Sequence, residues 1–219
     1  MEHLTVPTGH FLPVSRMEAF SDGVFAIAIT LLILDLRVPD SPDRLIGQLT
    51  DEWPSFLGYV VSFAFIGGSW ISHTGLTHLL RVTDGVFLGL NLLLLLFVSF
   101  LPFSTSLFTK HLTGSGERFA VVIFGLNLTL GTLVASVMIS YVARMDELKS
   151  AVDPARVARI ERERWLHVLL FALSTGLSYF VPKVAVGFYL FFSLMLIGQP
   201  VWQLHRRAWA RWRRGGSAG

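Results

Sequence analysis

Long stretches without Asp, Glu, Lys or Arg alternate with short charged breaks along this chain. Five uncharged runs stand out: Trp53–Leu80 (28 residues), Gly85–Thr109 (25), Phe119–Ala143 (25), Trp165–Pro182 (18) and Val184–Leu204 (21). A helix crosses a hydrocarbon core of ~30 Å with about 20 apolar residues. Each run therefore reads as a membrane span, the fourth near the lower limit. Lipid leaves backbone N–H and C=O groups unsatisfied, so only helices and closed barrels cross it. A barrel needs alternating segments of about ten residues, and these runs are continuously apolar. The pattern predicts an all-α membrane protein.

The first segment is different. Gly23–Leu34 has only 12 uncharged residues, bounded by Asp22 and Asp35. Those carboxylates are roughly 20 Å apart on a helix, whereas Arg16 and Arg37 are about 31 Å apart. If this helix crosses, at least one aspartate lies within the apolar slab, which by insertion scales costs on the order of 3 kcal/mol at its centre. A short interfacial or re-entrant helix is the competing reading. With this helix the chain forms one six-helix membrane domain over residues 1–219. Its spans are expected at about 17–37, 54–80, 85–109, 119–143, 164–182 and 184–204.

Composition narrows the class. Of 219 residues, 53% are hydrophobic and 15% charged, with a mean hydropathy of +0.59. Soluble domains carry about 25% charged residues, so a soluble enzyme and a disordered chain are both disfavoured. The absence of cysteine removes disulfides and thiolate metal sites.

The placement of charge gives the topology. Six spans put both termini on one side. Thirteen of the eighteen Lys and Arg fall on that side: Arg16, Arg81, six between Arg144 and Arg164, and five between Arg206 and Arg214. Arg37, Arg44, Lys110, Arg118 and Lys183 fall on the other. The positive-inside rule then makes both termini cytoplasmic, and no basic-then-apolar signal peptide is visible at the start. Asp153-Pro154 reads as an N-cap followed by proline at the first helical position, opening a helix that runs into the fifth span. Residues 44–50 read as one or two helical turns at the outer surface.

Catalytic signatures are missing. Gly67-Gly68-Ser69-Trp70 is not a nucleophile elbow, no phosphate-binding loop is present, and the seven histidines form no His-Glu-x-x-His pair. The chain reads as a non-enzyme without cofactor. The basic, aromatic segment 205–219 suits snorkelling arginines and interfacial tryptophans at anionic lipid better than nucleic acid, so no nucleic-acid partner is expected.

At 100° per residue, Gly23, Ile27, Thr30, Leu31 and Leu34 make one narrow stripe on the first helix, while Phe25, Ile29, Leu32 and Leu36 make a bulkier opposite face. Such a stripe is either core or pore. Asp22, off the stripe, has possible polar partners in Trp70, Ser72, His73 and Asn91.

The run from Arg16 to Leu36, with Arg16, Phe20, Ser21 and Asp22 in an Arg-x-x-x-Phe-Ser-Asp pattern, resembles the signature of the transmembrane protein 175 family of potassium channels, in its bacterial single-repeat form. The resemblance continues through Trp70-x-x-His73, Leu90-Asn91-Leu92 and Leu101-Pro102-Phe103, covering about the first 110 residues. It implies a homotetramer in a bacterial plasma membrane, four first helices around a central pore, and permeant K+ and other monovalent cations. It places the constriction at Ile27, further pore layers at Leu31 and Leu34, and a hydroxyl at Thr30. It also implies that Arg16, Ser21 and Asp22 tie the first helix to Trp70, His73 and Asn91. No Thr-Val-Gly-Tyr-Gly loop is present, so a backbone-carbonyl filter is not expected.

The expected function is a potassium-favouring cation channel, with an outer acidic cluster (Asp40, Asp43, Asp51, Glu52) concentrating cations. The alternative is a proton-coupled transporter using Asp22 and His73 as a relay, with Gly67-Gly68 as its one candidate helix break.

Overall fold

The protein is described by a computed structural model covering residues 13–38, 45–146, 148 and 154–215, with side chains in the last helix only through residue 198. Among the described residues there are seven α-helices: α1 (Val14–Leu31), α2 (Leu45–Asp51), α3 (Trp53–Thr77), α4 (Gly85–His111), α5 (Glu117–Arg144), α6 (Pro154–Ser178) and α7 (Pro182–Gly215). A single 3-10 turn, Leu32–Asp35, tightens the end of α1. Together α1 and this turn extend about 35 Å.

Four helices among the described residues are long and apolar enough to cross a membrane: α1 with its 3-10 turn, α3, α4 and α5. The apolar part of α7, Pro182–Gly198, is shorter. In α6 the first turns are charged, and the helix stops at Ser178 rather than continuing to Pro182 as the uncharged run suggests. The second expected span likewise closes early, at Thr77 instead of Leu80. Uncharged length overestimates helix length here because the turns between helices are themselves apolar. α6 does open at Pro154 and run unbroken into the fifth uncharged stretch, while Asp153 and Arg44 lie outside the described residues. The basic segment beyond residue 204 continues the backbone of α7 as helix up to Gly215.

The bundle buries hydroxyl and amide side chains within an apolar core and, unlike a soluble bundle, leaves large apolar side chains exposed on its outside. Leu92, Leu96, Phe100 and Phe103 form an exposed stripe along α4. Buried between helices, the Ser62 and Thr105 hydroxyls bond at 2.7 Å and Asn127 Nδ2 donates to Ser104 Oγ at 3.1 Å. Such bonds, worth about 1 kcal/mol each, join helices where lipid gives no hydrophobic drive. An aromatic series, Phe108–Phe124–Tyr189–Phe171–Phe192, links α4, α5, α6 and α7. Gly125 lets Tyr189 approach α5, since a Cβ there would overlap the tyrosine hydroxyl. Gly68 plays the same part for α7: a Cβ would stand 2.7 Å from Leu196 Cβ. The Gly67-Gly68 pair therefore sits in an unbroken α3, as a packing contact rather than a helix break.

The connections at one end are tied together. Arg81 N–H donates to the Leu148 carbonyl at 2.8 Å. Asp84 caps α4 by accepting from Phe87 N–H at 2.8 Å and also accepts from the Tyr141 hydroxyl at 2.5 Å. The α3–α4 turn and the segment after α5 thus share one end of the bundle. Toward the other end, Arg118 at the start of α5 lies over the Tyr179 ring just after α6, 5.9 Å from its centroid.

Candidate functional site

α1 packs against α3 and α4 through one face only. Phe25 is 2% exposed and Leu32 1%, with Ser21 and Ala28 also buried. The opposite stripe faces away from the subunit: Ile27 is 61% exposed, Leu31 43% and Leu34 74%. Thr30 is exposed as well, and nothing lies within 4 Å of the position a Gly23 Cβ would take. Of the two faces distinguished by periodicity, the bulkier one is the packed one. The choice follows volume, because the larger side chains give more dispersion contacts in the interhelical space.

Thr30 Oγ1 lies 2.9 Å from both the Ala26 and Ile27 carbonyls. Its hydrogen is directed to the helix backbone, so what the hydroxyl presents outward is oxygen lone pairs, the half of the group a cation attracts.

The polar residues of the motif form two separate contacts. Asn91 Nδ2 donates to Ser21 Oγ at 3.0 Å, and Asn91 Oδ1 lies 2.8 Å from His73 Nε2. All three residues are buried, and Phe25 packs on the His73 ring at 5.6 Å. Asp22 takes no part in that chain: its Oδ1 accepts from Trp70 Nε1 at 2.8 Å on the exposed side of α1 and α3. The structure thus brings together Ser21, His73 and Asn91, and separately Asp22 and Trp70. Arg16 and the 57%-exposed Phe20 join neither group.

A crevice of about 350 Å³ opens between α1 and α3 beside the Asp22–Trp70 pair, lined by Phe25, Ile29 and Ile66 among others. Among the described residues no group of three or more His, Asp or Glu could hold a metal ion. Asp40 and Asp43 of the expected acidic cluster lie outside the described residues. Sequence reasoning missed the Asp84–Tyr141 tie because its partners belong to different spans, 57 residues apart.

A sequence profile described as the endosomal/lysosomal potassium channel TMEM175 matches residues 16–102. A potassium channel of Streptomyces collinus is 37% identical over 168 residues, 75% of this chain and 82% of that protein. The chain belongs to the TMEM175 family. The crystal structure of a lysosomal potassium-selective channel TMEM175 homolog from Chamaesiphon minutus superposes with a TM-score of 0.78 at 30% identity, covering 85% of this chain and 97% of that one. The bovine TMEM175, called an endosomal/lysosomal proton channel, is 45% identical over 114 residues. That match takes in 46% of this chain and only 24% of the bovine protein. The profile match spans α1, α3 and most of α4, which contain the outward stripe and both polar contacts.

Proposed function

We propose that this chain is the subunit of a homotetrameric, potassium-favouring cation channel in a bacterial plasma membrane, with the outward stripe of α1 lining the pore. One observation carries the reading: Ile27, Thr30, Leu31 and Leu34 stand exposed on a helix whose other face is packed against the subunit. Four copies facing an axis convert that stripe into rings. The potassium-channel relatives of similar length favour potassium as the permeant ion.

The chemistry follows from hydration. Potassium gives up its water more readily than smaller sodium, so a narrow apolar ring at Ile27 passes it at lower cost. The same ring can close by dewetting. Thr30 lone pairs, one turn on, partly replace the lost water. Ser21, His73 and Asn91 act structurally, fixing the rotation of α1 so that Ile27 faces the axis. The transporter alternative is disfavoured because Asp22 and His73 bond to different partners instead of forming one relay.

The topology belongs to the same proposal. α6 and α7 complete six crossings, the uncharged part of α6 being about 21 Å long and the apolar part of α7 about 25 Å. Local thinning and snorkelling arginines make up such deficits. The bundle end joined by the Arg81–Leu148 bond then faces the cytoplasm with the basic residues. Both the start of α1 and the end of α7 lie on that side.

Reconstitution into liposomes tests this. Under potassium and sodium gradients we expect unitary currents with a reversal potential displaced toward that of potassium. Proton-coupled flux with fixed stoichiometry and no unitary events would overturn the channel reading.

A further inference from the structure

A second cavity lies inside the subunit, away from the outward face of α1. It measures about 150 Å³ and is walled by α3, α5 and α6, with single residues from α4 and α7. That is room for several water molecules, and its chemistry is mixed. Arg156, Glu163 and Arg164 enter from α6, Ser69, Ser72 and His73 from α3, and Thr132 from α5. Apolar side chains, Ile139, Ile160 and Leu196 among them, make up much of the rest.

The spacing on α6 explains why two arginines enter. Arg156, Ile160, Glu163 and Arg164 recur at helical spacing and form one face. Arg159 and Arg162 fall on the other face and are exposed, where they serve the positive-inside asymmetry. Arg156 is exposed and Arg164 half-buried. Among the described residues neither is in an ion pair or a side-chain hydrogen bond. Glu163 is the acidic residue in the cavity wall, which leaves an excess of one positive charge. Two guanidinium groups against one carboxylate, in a crevice of otherwise apolar, hydroxyl and imidazole side chains, form a receptor for a doubly coordinated anionic oxygen group, because Arg presents paired N–H donors matching phosphate. Basic pockets between membrane helices on the cytoplasmic side hold lipid headgroups in this way.

We propose that this crevice binds a phosphate-bearing anion, held by Arg156 and Arg164 with Ser69 and Ser72 as hydroxyl donors. The apolar wall and the membrane setting make an anionic phospholipid headgroup the natural source, with free phosphate as the soluble one. The site has a route to the pore. His73 lines the crevice and bonds Asn91, which bonds Ser21 on the packed face of α1. An anion beside His73 therefore acts on the chain of bonds that sets the rotation of α1. The lipid source rests on the cytoplasmic placement of this end, whereas the anion site itself does not depend on pore function.

Native mass spectrometry of the full-length protein in detergent tests the site without measuring current. The probes are short-chain phosphatidylglycerol, short-chain phosphatidylcholine and inorganic phosphate. We expect phosphatidylglycerol to bind at least tenfold more tightly than phosphatidylcholine. R156Q/R164Q should lose that preference, R156K/R164K should keep most of it, and R159Q/R162Q should bind as the parent does. Retention of thermal stability by R156Q/R164Q guards against misfolding as the cause. If phosphate alone binds and competes with phosphatidylglycerol in an arginine-dependent way, the anion site stands with a soluble source. Equal binding of both lipids, or undiminished binding by a folded R156Q/R164Q, would overturn the proposal. Neither result bears on the Ile27 ring, which is read by conductance.

Discussion

The gate proposed at Ile27 would require little chemistry. The residue is a branched apolar side chain, 61% exposed on its own subunit, one turn before a hydroxyl whose hydrogen already points to the helix. Its proposed effect comes from what it refuses to do: it offers dehydrated cations no oxygen and water no hydrogen bond. Replacing it with Asn keeps the number of side-chain heavy atoms and supplies both donor and acceptor. The wetting barrier should fall, and lowering a barrier by roughly 1.4 kcal/mol raises a rate tenfold. We expect Ile27→Asn to increase resting cation current in liposomes by about that factor and to reduce the preference for potassium. An identical current from a folded, assembled variant would remove Ile27 from the gate.

Among elements, α4 is tied at the loop end through a single carboxylate. Asp84 is its cap, and the same carboxylate accepts from the α5 residue Tyr141. Loss of a cap costs about 1 kcal/mol, and a phenol left without its charged acceptor about as much again. Asp84→Ala is therefore expected to cost roughly 2 kcal/mol and lower the thermal midpoint in detergent. Asp84→Asn should retain the cap and recover much of the loss. A midpoint unchanged in Asp84→Ala would show that neither bond matters. α1 is tied differently, by the buried Ser21–Asn91–His73 chain beside the packing of Phe25 and Leu32, and we propose that these polar bonds set its rotation.

For the whole molecule, the outer surface near Asp22 is unfinished. Asp22 and Trp70 meet beside a crevice of about 350 Å³ between α1 and α3, off the outward stripe of α1. In the proposed tetramer a neighbouring subunit packed over this crevice would shield the Asp22 charge from lipid. Asp22→Ala should free Trp70 and weaken assembly more than it alters selectivity. Chemical cross-linking in membranes should show the tetramer fraction falling by half or more. A variant that assembles and conducts normally would contradict a role for Asp22 in assembly.

The sequence by itself determined the material: apolar helices joined by short basic or acidic connections, and a first helix with two distinguishable faces. Local composition suffices for that, because a backbone in lipid has few ways to satisfy its own hydrogen bonds. The motif from Arg16 to Leu36 also carried the family, which the comparisons established. Only the tertiary structure decided which face of α1 is free, because that depends on how Phe25 and Leu32 fit against α3 and α4. The pairing of polar residues was decided there too. Asn91 is 70 residues from Ser21 and 18 from His73, and no local pattern says that it joins both while Asp22 turns to Trp70. The six basic residues between Arg144 and Arg164 looked like a single topological signal. Folding divides those of α6 by helix face, Arg159 and Arg162 turned away and Arg156 and Arg164 lining a cavity, because the opposing walls come from helices remote in sequence.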